Sequence, residues 1–308
     1  VHRDIDRTFF FGKFISIMLT LPLCDVFHFS CLFIMTNKSW SFNNNSSNKL
    51  FDLTGTVALI TGGNSGIGRG IAIGLAQAGA DIFIASRNLK KSRAVCQEII
   101  KLTNRKAYCT KCDVSIRQDV TRTVKECQER YGRLDIIVPN AGVSKGVPKN
   151  LHSDQDWDYV VNINLRSVYW LCHDAYPLLK ASKRGKIITI GSEYSLHGSM
   201  RTIGYAASKH GIIGLTKSLA VSWASDGIQA NCIIPGWILT DLAKPAIEHP
   251  IVGKAIEEKT PGTKGFGYPE DLAGCAIFLA SKASDFVTGQ SIAVDGGFST
   301  SMLPHAGL

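Results

Sequence analysis

A tyrosine and a lysine stand four residues apart in the stretch GYAASKHG, residues 204–211. On a helix this spacing places Tyr205 and Lys209 on one face. A phenol with an ordinary pKa of about 10 is a poor base at neutral pH. A nearby ammonium favours the phenolate, so we expect Lys209 to lower the pKa of Tyr205. The pair is typical of a proton-transfer centre, provided that the rest of the chain completes it.

A glycine-rich stretch, LITGGNSGIGRG, begins at Leu59 and indicates a phosphate-binding turn. Gly62, Gly66 and Gly68 follow an apolar run and precede a helical pattern. Glycine permits a tight turn and a close approach of the backbone to a phosphate, which the N-terminus of the helix then attracts. Because the cluster lies between a strand pattern and a helix pattern, it predicts a dinucleotide-binding site.

Short apolar runs alternate with amphipathic stretches from residue 51 onward, and this rhythm predicts the elements that position these residues. We predict strands at 56–60, 81–85, 107–112, 134–138, 186–190, 228–234 and 291–294. Strands that alternate with helices form a parallel sheet with helices on both faces. The predicted fold is α/β, a Rossmann-type doubly wound sheet of about seven parallel strands. It forms one domain, residues 51–300, followed by a tail, residues 301–308.

The end of the second predicted strand bears on which dinucleotide binds. NAD-binding sites usually carry a carboxylate there, which holds the ribose 2′-hydroxyl. This chain instead reads Ala85-Ser86-Arg87-Asn88. A guanidinium matches a 2′-phosphate well, so Arg87 predicts a preference for NADP(H), with NAD(H) as the alternative. An Arg87 that only stacks on adenine or faces solvent would leave the preference open.

Five motifs in order together resemble the short-chain dehydrogenase/reductase family, over residues 51 to about 300. They are TGGNSGIG at 61–68, NAG at 140–142, GS at 191–192, YAASK at 205–209 and PG at 235–236. The resemblance implies a catalytic tetrad of Asn164, Ser192, Tyr205 and Lys209. Ser192 would hydrogen-bond the substrate oxygen, and Lys209 would also hold the nicotinamide ribose. Asn164 would anchor a water that relays protons to Lys209.

The same resemblance implies that the cofactor contacts the loops that follow the strands. The implied residues are Gly62, Asn64, Ser65, Gly66, Ile67, Gly68, Ser86, Arg87, Asp113, Val114, Asn140, Ala141, Gly142, Tyr205, Lys209, Pro235, Gly236, Ile238 and Thr240. The chain departs from the family at Pro139, where an asparagine is usual. Because proline has no N–H, this residue puts the local hydrogen bonding of the sheet in doubt.

Substrate contacts are implied for a smaller set of residues. They are Ser192, Tyr194, Tyr205 and Trp237. Glu193 and His197 are further candidates for the rim of the pocket, although each of these residues can equally be structural. Residues 239–260 would form a mobile lid over the substrate.

Two stretches, LFDLTGTVALITGG and PEDLAGCAIFLASKASDFVTGQSIAVDGG, narrow the resemblance to gluconate and deoxygluconate dehydrogenases and to 3-oxoacyl reductases. We predict an NAD(P)-dependent oxidoreductase that interconverts a hydroxyl and a carbonyl on a sugar or sugar acid, with Tyr205 exchanging the proton. The alternatives are a 3-oxoacyl reductase and a non-catalytic dinucleotide-binding regulator. The family also implies a homotetramer, assembled through the helix at 205–224 and the last strand.

Composition limits the class of partner. The net charge is +9 over 308 residues, but the basic residues are dispersed. Nucleic-acid-binding proteins concentrate them in a patch, so we predict a small-molecule substrate and no nucleic-acid partner. The nine cysteines are scattered, which favours reduced thiols in a cytoplasmic location. Cys109 and Cys112 form C-x-x-C without a second ligand pair, so we predict buried strand cysteines and no metal.

The first 50 residues differ from the rest and are predicted to be an extension, either disordered or non-native. Residues 9–34 are apolar but interrupted by charged residues and proline, and residues 37–48 are rich in Asn and Ser. We predict no membrane partner, although the apolar run keeps a membrane anchor and a targeting segment open beside a native start at Met35. An anchor or targeting segment would change the predicted location to a membrane or an organelle.

Overall fold

The computed structural model describes residues 47–146, 153–262 and 265–302. Within them, seven strands form one parallel sheet in the order β3-β2-β1-β4-β5-β6-β7. The strands are β1 Val57–Thr61, β2 Asp81–Ser86, β3 Ala107–Lys111, β4 Ile136–Pro139, β5 Lys186–Ile190, β6 Gln229–Pro235 and β7 Ser291–Val294. The predicted fold class is confirmed. The first and last residues of each predicted strand lie within two residues of those observed.

Helices precede the first strand and lie in the connections between the strands. They are α1 Ser47–Leu50, α2 Gly66–Gln77, α3 Leu89–Thr103, α4 Arg117–Tyr131, α5 Asp154–Val161, α6 Ser167–Ala181, α7 Ile203–Trp223, α8 Lys244–Ile247, α9 Pro250–Lys259 and α10 Ala273–Ala280. A π-helical turn, Asn162–Arg166, joins α5 to α6. Short 3-10 turns lie at Glu193–Ser195, Ala224–Asp226, Pro269–Leu272 and Lys282–Ser284.

Apolar side chains cover both faces of the sheet, as a doubly wound fold requires. All of β1 is buried, and successive residues of a strand point to opposite faces. Ile60 packs in one cluster with Leu75 of α2, whereas Leu59 packs in the other with Leu171 of α6. Helices therefore shield the sheet from water on both sides.

The strand order places a crevice between β1 and β4. The chain proceeds outward from β1 through β2 to β3, and then returns to β4 on the other side of β1. Loops at the carboxyl ends of two such strands run in opposite directions and leave a crevice where ligands bind in open α/β sheets. The glycine-rich loop after β1 and the Asn140-Ala141-Gly142 loop after β4 both begin at this crevice.

Pro139 fits the sheet, contrary to the doubt that its sequence position raised. It pairs with Thr61 of β1, while the pairing of β4 with β5 stops at Ile137. The missing N–H therefore removes no hydrogen bond from the ladder with β5. Thr61 Oγ1 then accepts hydrogen bonds from the backbone N–H groups of Asn140 and Ala141, both at 3.1 Å.

Three further predictions concern membrane spans, the ends of the chain and the cysteine pair. Within the described ranges, no helix has the length and apolar character that crossing a bilayer requires. The apolar run at 9–34 and the Asn/Ser-rich stretch up to residue 46 lie outside the described residues, as do residues 303–308 of the tail, and the domain bounds stay a prediction. Cys109 and Cys112 pack on opposite faces of the sheet, as their strand spacing predicts.

Candidate active site

Helix α7 holds the tyrosine and the lysine. Tyr205 is half-buried and Lys209 is buried, one turn further along the same face. Lys209 Nζ donates a hydrogen bond of 2.8 Å to the backbone carbonyl of Ile190, the last residue of β5. It also lies 5.6 Å from the centre of the Tyr205 ring. The predicted arrangement on one helical face is therefore present, and the lysine is fixed to the end of the central sheet.

The pKa of Tyr205 is raised in this structure, so the expected lowering by Lys209 is wrong here. Burial of the hydroxyl is the main cause, and the nearby Ser192 side chain opposes it. The ammonium of Lys209 faces the ring and the Ile190 carbonyl, and it is not among the groups that shift Tyr205. The phenol is thus set to hold its proton.

Lys209 shows a large electrostatic effect of burial. Removal from water lowers its pKa to about 8, because burial disfavours the charged form. At neutral pH the ammonium still predominates, but its proton is more easily released than that of an exposed lysine. Lys209 can therefore take part in proton exchange as well as in binding.

Asn164 lies in the π-helical turn between α5 and α6 and is buried. Its Oδ1 accepts a hydrogen bond from the Val143 N–H at 2.9 Å, and its Nδ2 donates to the Val143 carbonyl at 2.8 Å. Nδ2 also donates to Ser208 Oγ at 3.2 Å, and Ser208 Oγ donates to the Tyr205 carbonyl at 2.7 Å. Asn164 thereby ties the loop after β4 to α7. Turns of this kind are frequent at functional sites.

Ser192 is oriented by a capping box at the end of β5. Its Oγ accepts a hydrogen bond from the Tyr194 N–H at 3.2 Å, and its own N–H donates to Ser195 Oγ at 3.1 Å. Ser195 Oγ in turn donates to the Lys209 carbonyl at 2.9 Å. The ring of Tyr194 meets that of Tyr205 edge-on, with centroids 6.0 Å apart. Ser192 and Tyr194 therefore both border the phenol.

The glycine-rich loop packs directly on Asn140. Gly62 and Gly66 adopt positive φ angles of 67° and 50°, which favour glycine. A Cβ at Gly68 would lie 2.5 Å from the Gly62 carbonyl oxygen and would also overlap Asn140 Nδ2. The side chain of Ser65, at the start of α2, accepts no hydrogen bond from the first backbone N–H groups of the helix. This cradle fits the pyrophosphate of a dinucleotide.

Two further glycine contacts join the cofactor loops to the tetrad. A Cβ at Gly142 would lie 3.4 Å from Asn164 Oδ1 and 3.9 Å from Lys209 Nζ. A Cβ at Gly66 would lie 3.1 Å from Thr240 Cγ2, on the segment after β6. The loop after β4 therefore lies beside Asn164 and the ammonium of Lys209, and the loop after β1 contacts the segment after β6.

The adenosine side of the crevice is more open. Ser86 is buried and its Oγ lies 2.7 Å from Ser92 Oγ, whereas Asn64 Nδ2 donates to the Asn88 carbonyl at 3.4 Å. The side chain of Arg87 is exposed, and among the described residues it has no hydrogen-bond or ion-pair partner. At the end of β3, Asp113 Oδ1 accepts from the N–H and Oγ of Ser115, and Val114 is buried.

The end of β6 and the segment after it contain the remaining residues that were predicted to contact the cofactor or the substrate. Gly236 N–H donates to the Val294 carbonyl at 3.1 Å, which fixes the Pro235-Gly236 turn against β7. Ile238 is buried and forms an isolated bridge with Gly267. Trp237 packs edge-on against Phe298, with centroids 6.5 Å apart, and borders a cavity of about 260 Å³. The lining of this cavity includes Trp237 and Ile238 but none of the four tetrad residues.

Comparison with known proteins identifies the family. Residues 62–299 match the family model described as enoyl-(acyl carrier protein) reductase. A 2-dehydro-3-deoxy-D-gluconate 5-dehydrogenase of Dickeya dadantii is 37% identical over 254 residues, which cover 80% of this chain and 97% of that protein. The chain belongs to the short-chain dehydrogenase/reductase family. It is an NAD(P)-dependent oxidoreductase that acts on CH–OH groups, as predicted.

Two further family members resemble the chain along nearly their whole length. A 3-oxoacyl-[acyl-carrier-protein] reductase of Chlamydia muridarum is 36% identical over 251 residues, covering 80% of this chain and 98% of that protein. The crystal structure of a gluconate 5-dehydrogenase from Burkholderia cenocepacia, in complex with NADP and tartrate, superposes with a TM-score of 0.79 at 35% identity. It covers 83% of this chain and 100% of that one.

Several residues that shape this short-chain dehydrogenase/reductase site were missed by sequence reasoning. Thr61 holds the Asn140 loop, Ser195 completes the capping box around Ser192, and Ser208 joins Asn164 to α7. Ser195 carried a signal, because S-x-x-S spacing is compatible with a capping box. Thr61 and Ser208 carried none, since their partners lie far away in the sequence.

Proposed function

We propose that this enzyme interconverts a hydroxyl and a carbonyl on a sugar acid, using NADP(H). The observation that carries the proposal is the cluster of Ser192, Tyr205 and Lys209 beside the glycine cradle. A phenol that lies near a serine hydroxyl and a buried ammonium is suited to exchanging a proton with a substrate oxygen. The roles of the individual residues below are part of this proposal.

The proposed proton transfer runs through Tyr205. In the reducing direction the phenol donates its proton to the substrate oxygen, and the raised pKa keeps that proton in place beforehand. Ser192 Oγ, which lies near the phenol, orients the same oxygen and stabilises the charge that develops on it. Lys209 restores the proton, which its pKa of about 8 permits near neutral pH.

The loops after the strands are proposed to hold NADP(H), which when bound supplies or accepts the hydride. The backbone at Gly62, Gly66 and the N-terminus of α2 would cradle the pyrophosphate. Arg87, exposed and unpaired among the described residues, would pair with the 2′-phosphate. The NADP in the Burkholderia cenocepacia structure supports this preference.

Sugar acids are the proposed substrate class because the similar proteins act on them. The Dickeya dadantii relative is named for 2-dehydro-3-deoxy-D-gluconate, and the Burkholderia cenocepacia structure for gluconate. The second candidate, a 3-oxoacyl reductase, is favoured by the similarity to the Chlamydia muridarum protein. The identities, 37% and 36%, differ too little to separate the two substrate classes.

A substrate panel tests the proposal. NADPH oxidation would be followed by absorbance with oxidised sugar acids, neutral ketoses and an acetoacetyl thioester, and NADP reduction with the matching alcohols. We expect a kcat/KM at least about tenfold higher for an oxidised sugar acid than for the thioester, which corresponds to about 1.4 kcal/mol. The opposite ratio would favour the 3-oxoacyl reductase, and turnover of neither class would contradict both.

The proposed assembly is a homotetramer built through α7 and β7. β7 lies at the edge of the sheet, and Val221 on α7 and Phe286 before β7 are largely exposed apolar side chains. Unpaired edge strands and exposed apolar residues are typical association surfaces. Light scattering at micromolar concentration tests this, and a monomer mass would contradict it. The cytoplasmic location, the absence of a membrane or nucleic-acid partner and the absence of a metal stay predictions.

A further inference from the structure

A buried carboxyl group immediately follows the serine of the tetrad. Glu193 is only 5% exposed and begins the 3-10 turn that holds Ser192. Among the described residues, neither of its side-chain oxygens has a hydrogen-bond partner of normal geometry. A buried carboxylate without partners is strongly disfavoured, so this group requires either a proton or an unusual neighbour.

The neighbour is Asp295, which follows the last strand. β5, β6 and β7 are adjacent, and Glu193 and Asp295 both emerge at their carboxyl edge. Asp295 accepts hydrogen bonds of 2.9 Å from the N–H groups of Gly297 and Ser299. Although burial opposes them, the hydrogen bonds from Ser299 and Gly297 hold the pKa of Asp295 below its usual value. Asp295 is therefore the charged member of the pair.

Glu193 is the protonated member. Burial, followed by the charge and a side-chain hydrogen bond of Asp295, raises the pKa of Glu193 to about 8. The turn packs on α7, which carries Tyr205 and Lys209, and on β6, which carries Cys232. None of these shifts Glu193, and within the described part of the chain only Asp295 and Lys259, at the end of α9, act on its charge. Lys259 favours the charged form but is outweighed.

A second buried group at this edge also lacks a partner. Trp237 Nε1, on the segment after β6, has no acceptor among the described residues. Trp237 and Asp295 border the same cavity, and Trp237 contacts Phe298, beyond Asp295 in the chain. The edge formed by β5, β6 and β7 thus contains polar side-chain atoms of Glu193 and Trp237 that have no hydrogen-bond partner among the described residues.

We propose that Glu193 and Asp295 share a proton and that this pair positions Ser192. The protonated carboxyl of Glu193 donates to Asp295, and this bond locks the turn whose capping box orients the Ser192 hydroxyl toward Tyr205. When the proton leaves, two carboxylates face each other in a buried site and the turn shifts. Glu193 is a positioning residue, and the inference rests on the role proposed above for Ser192.

Infrared spectroscopy tests the shared proton without any substrate. The difference spectrum between about pH 6 and about pH 10 should contain the C=O band of a buried carboxylic acid in the wild type, lost on titration. Glu193→Gln should lack this band, and the exposed control Glu129→Gln should keep it. A wild type without the band, or a Glu193→Gln spectrum that keeps it, would overturn the shared proton.

The pH profile of kcat/KM tests the positioning. In the oxidising direction Tyr205 must accept a proton, so its titration raises activity with pH, whereas loss of the Glu193 proton lowers it. About 1.5 pH units above a pKa of about 8, roughly 3% of Glu193 stays protonated, so we expect a loss of at least about tenfold in the wild type.

Glu193→Gln, which keeps the donor but cannot titrate, should retain most of its activity over this range, and Glu129→Gln should follow the wild type. Glu193→Ala should be impaired at every pH. Identical profiles for the wild type and Glu193→Gln would overturn the positioning role. If no sugar acid is turned over, the same profiles are measured with whichever panel substrate reacts, and the infrared result stands by itself.

Discussion

The catalytic and adenosine halves of the nucleotide site hold their polar side chains in different ways. In the catalytic half, Asn164, Ser195 and Lys209 are buried and hydrogen-bonded to backbone atoms of other elements. In the adenosine half, Arg87 is exposed and unpaired among the described residues. The reacting end is therefore held by internal hydrogen bonds, as proton transfer over short distances requires, whereas the end proposed to bind the 2′-phosphate presents an exposed side chain.

The largest effect is expected from the phenol. Tyr205→Phe removes the proton donor and should lower kcat by about a thousandfold, since positioned general acids contribute about 10²–10⁴. NADPH binding, measured by fluorescence, should change little, because the ring remains. Tyr169→Phe is the matched control, because its ring is half-exposed on α6 and it is not a member of the tetrad, and it should retain most of the activity. Comparable activity in Tyr205→Phe and the wild type would refute the proton-transfer assignment.

The second-largest effect is expected from a substitution in the glycine cradle. Gly68→Ala places a Cβ against the Gly62 carbonyl oxygen and Asn140, so the loop must open and NADPH affinity should fall by about a hundredfold. Gly274→Ala, in α10, has nothing within 4 Å of the added Cβ and should bind NADPH normally. Because alanine favours a helix over glycine, it should also raise the melting temperature slightly. Equal NADPH affinities for the two variants would mean that the cradle is elsewhere.

Sequence reasoning succeeded where the signal is local. The glycine spacing between β1 and α2 and the Tyr205–Lys209 spacing on α7 are short-range patterns, and both elements form where they were predicted. It failed for properties that depend on burial and on contacts between residues far apart in the sequence, such as a pKa. The pKa of Tyr205 moves upward because the folded chain surrounds its hydroxyl, which spacing along the chain cannot show.

The partners of buried polar groups were also beyond the reach of the sequence. Asn164 meets Val143 and Ser208, and Glu193 meets Asp295, across distances that only the sheet order closes. The π-helical turn at Asn162–Arg166 has no composition cue that separates it from the helices on either side. Residue identity therefore predicted which groups to propose as catalytic, whereas the structure was needed to find their hydrogen-bond partners.

A moderate effect is expected from a substitution of Arg87 in the adenosine half. Arg87→Gln removes the guanidinium proposed to pair with the 2′-phosphate, and KM for NADPH should rise about tenfold, as expected for one charge-assisted hydrogen bond. KM for NADH should stay nearly unchanged. Arg130→Gln is the control, because the Arg130 guanidinium stacks 4.4 Å from the Tyr108 ring near the start of β3. An equal rise in KM for both cofactors would show that Arg87 does not read the phosphate.

The smallest effect tests how far the catalytic half depends on its internal hydrogen bonds. Ser208→Ala deletes the acceptor of the 3.2 Å bond from Asn164 and the donor to the Tyr205 carbonyl. A buried donor left without a partner destabilises a protein by about 1–3 kcal/mol, so the free energy of unfolding should fall by about 1 kcal/mol. The loop after β4 loses one of its ties to α7, and kcat should fall by about threefold.

Ser218→Ala supplies the matched control for this last comparison. Ser218 lies on the same helix, and its Oγ donates to the Gly214 carbonyl at 3.0 Å on the exposed face. Water replaces that partner when the hydroxyl is removed, so stability and kcat should both stay close to the wild-type values. If Ser208→Ala is equally neutral, the buried hydrogen bonds of the catalytic half are not what distinguishes it. Its rigidity would then come from apolar packing beneath α7.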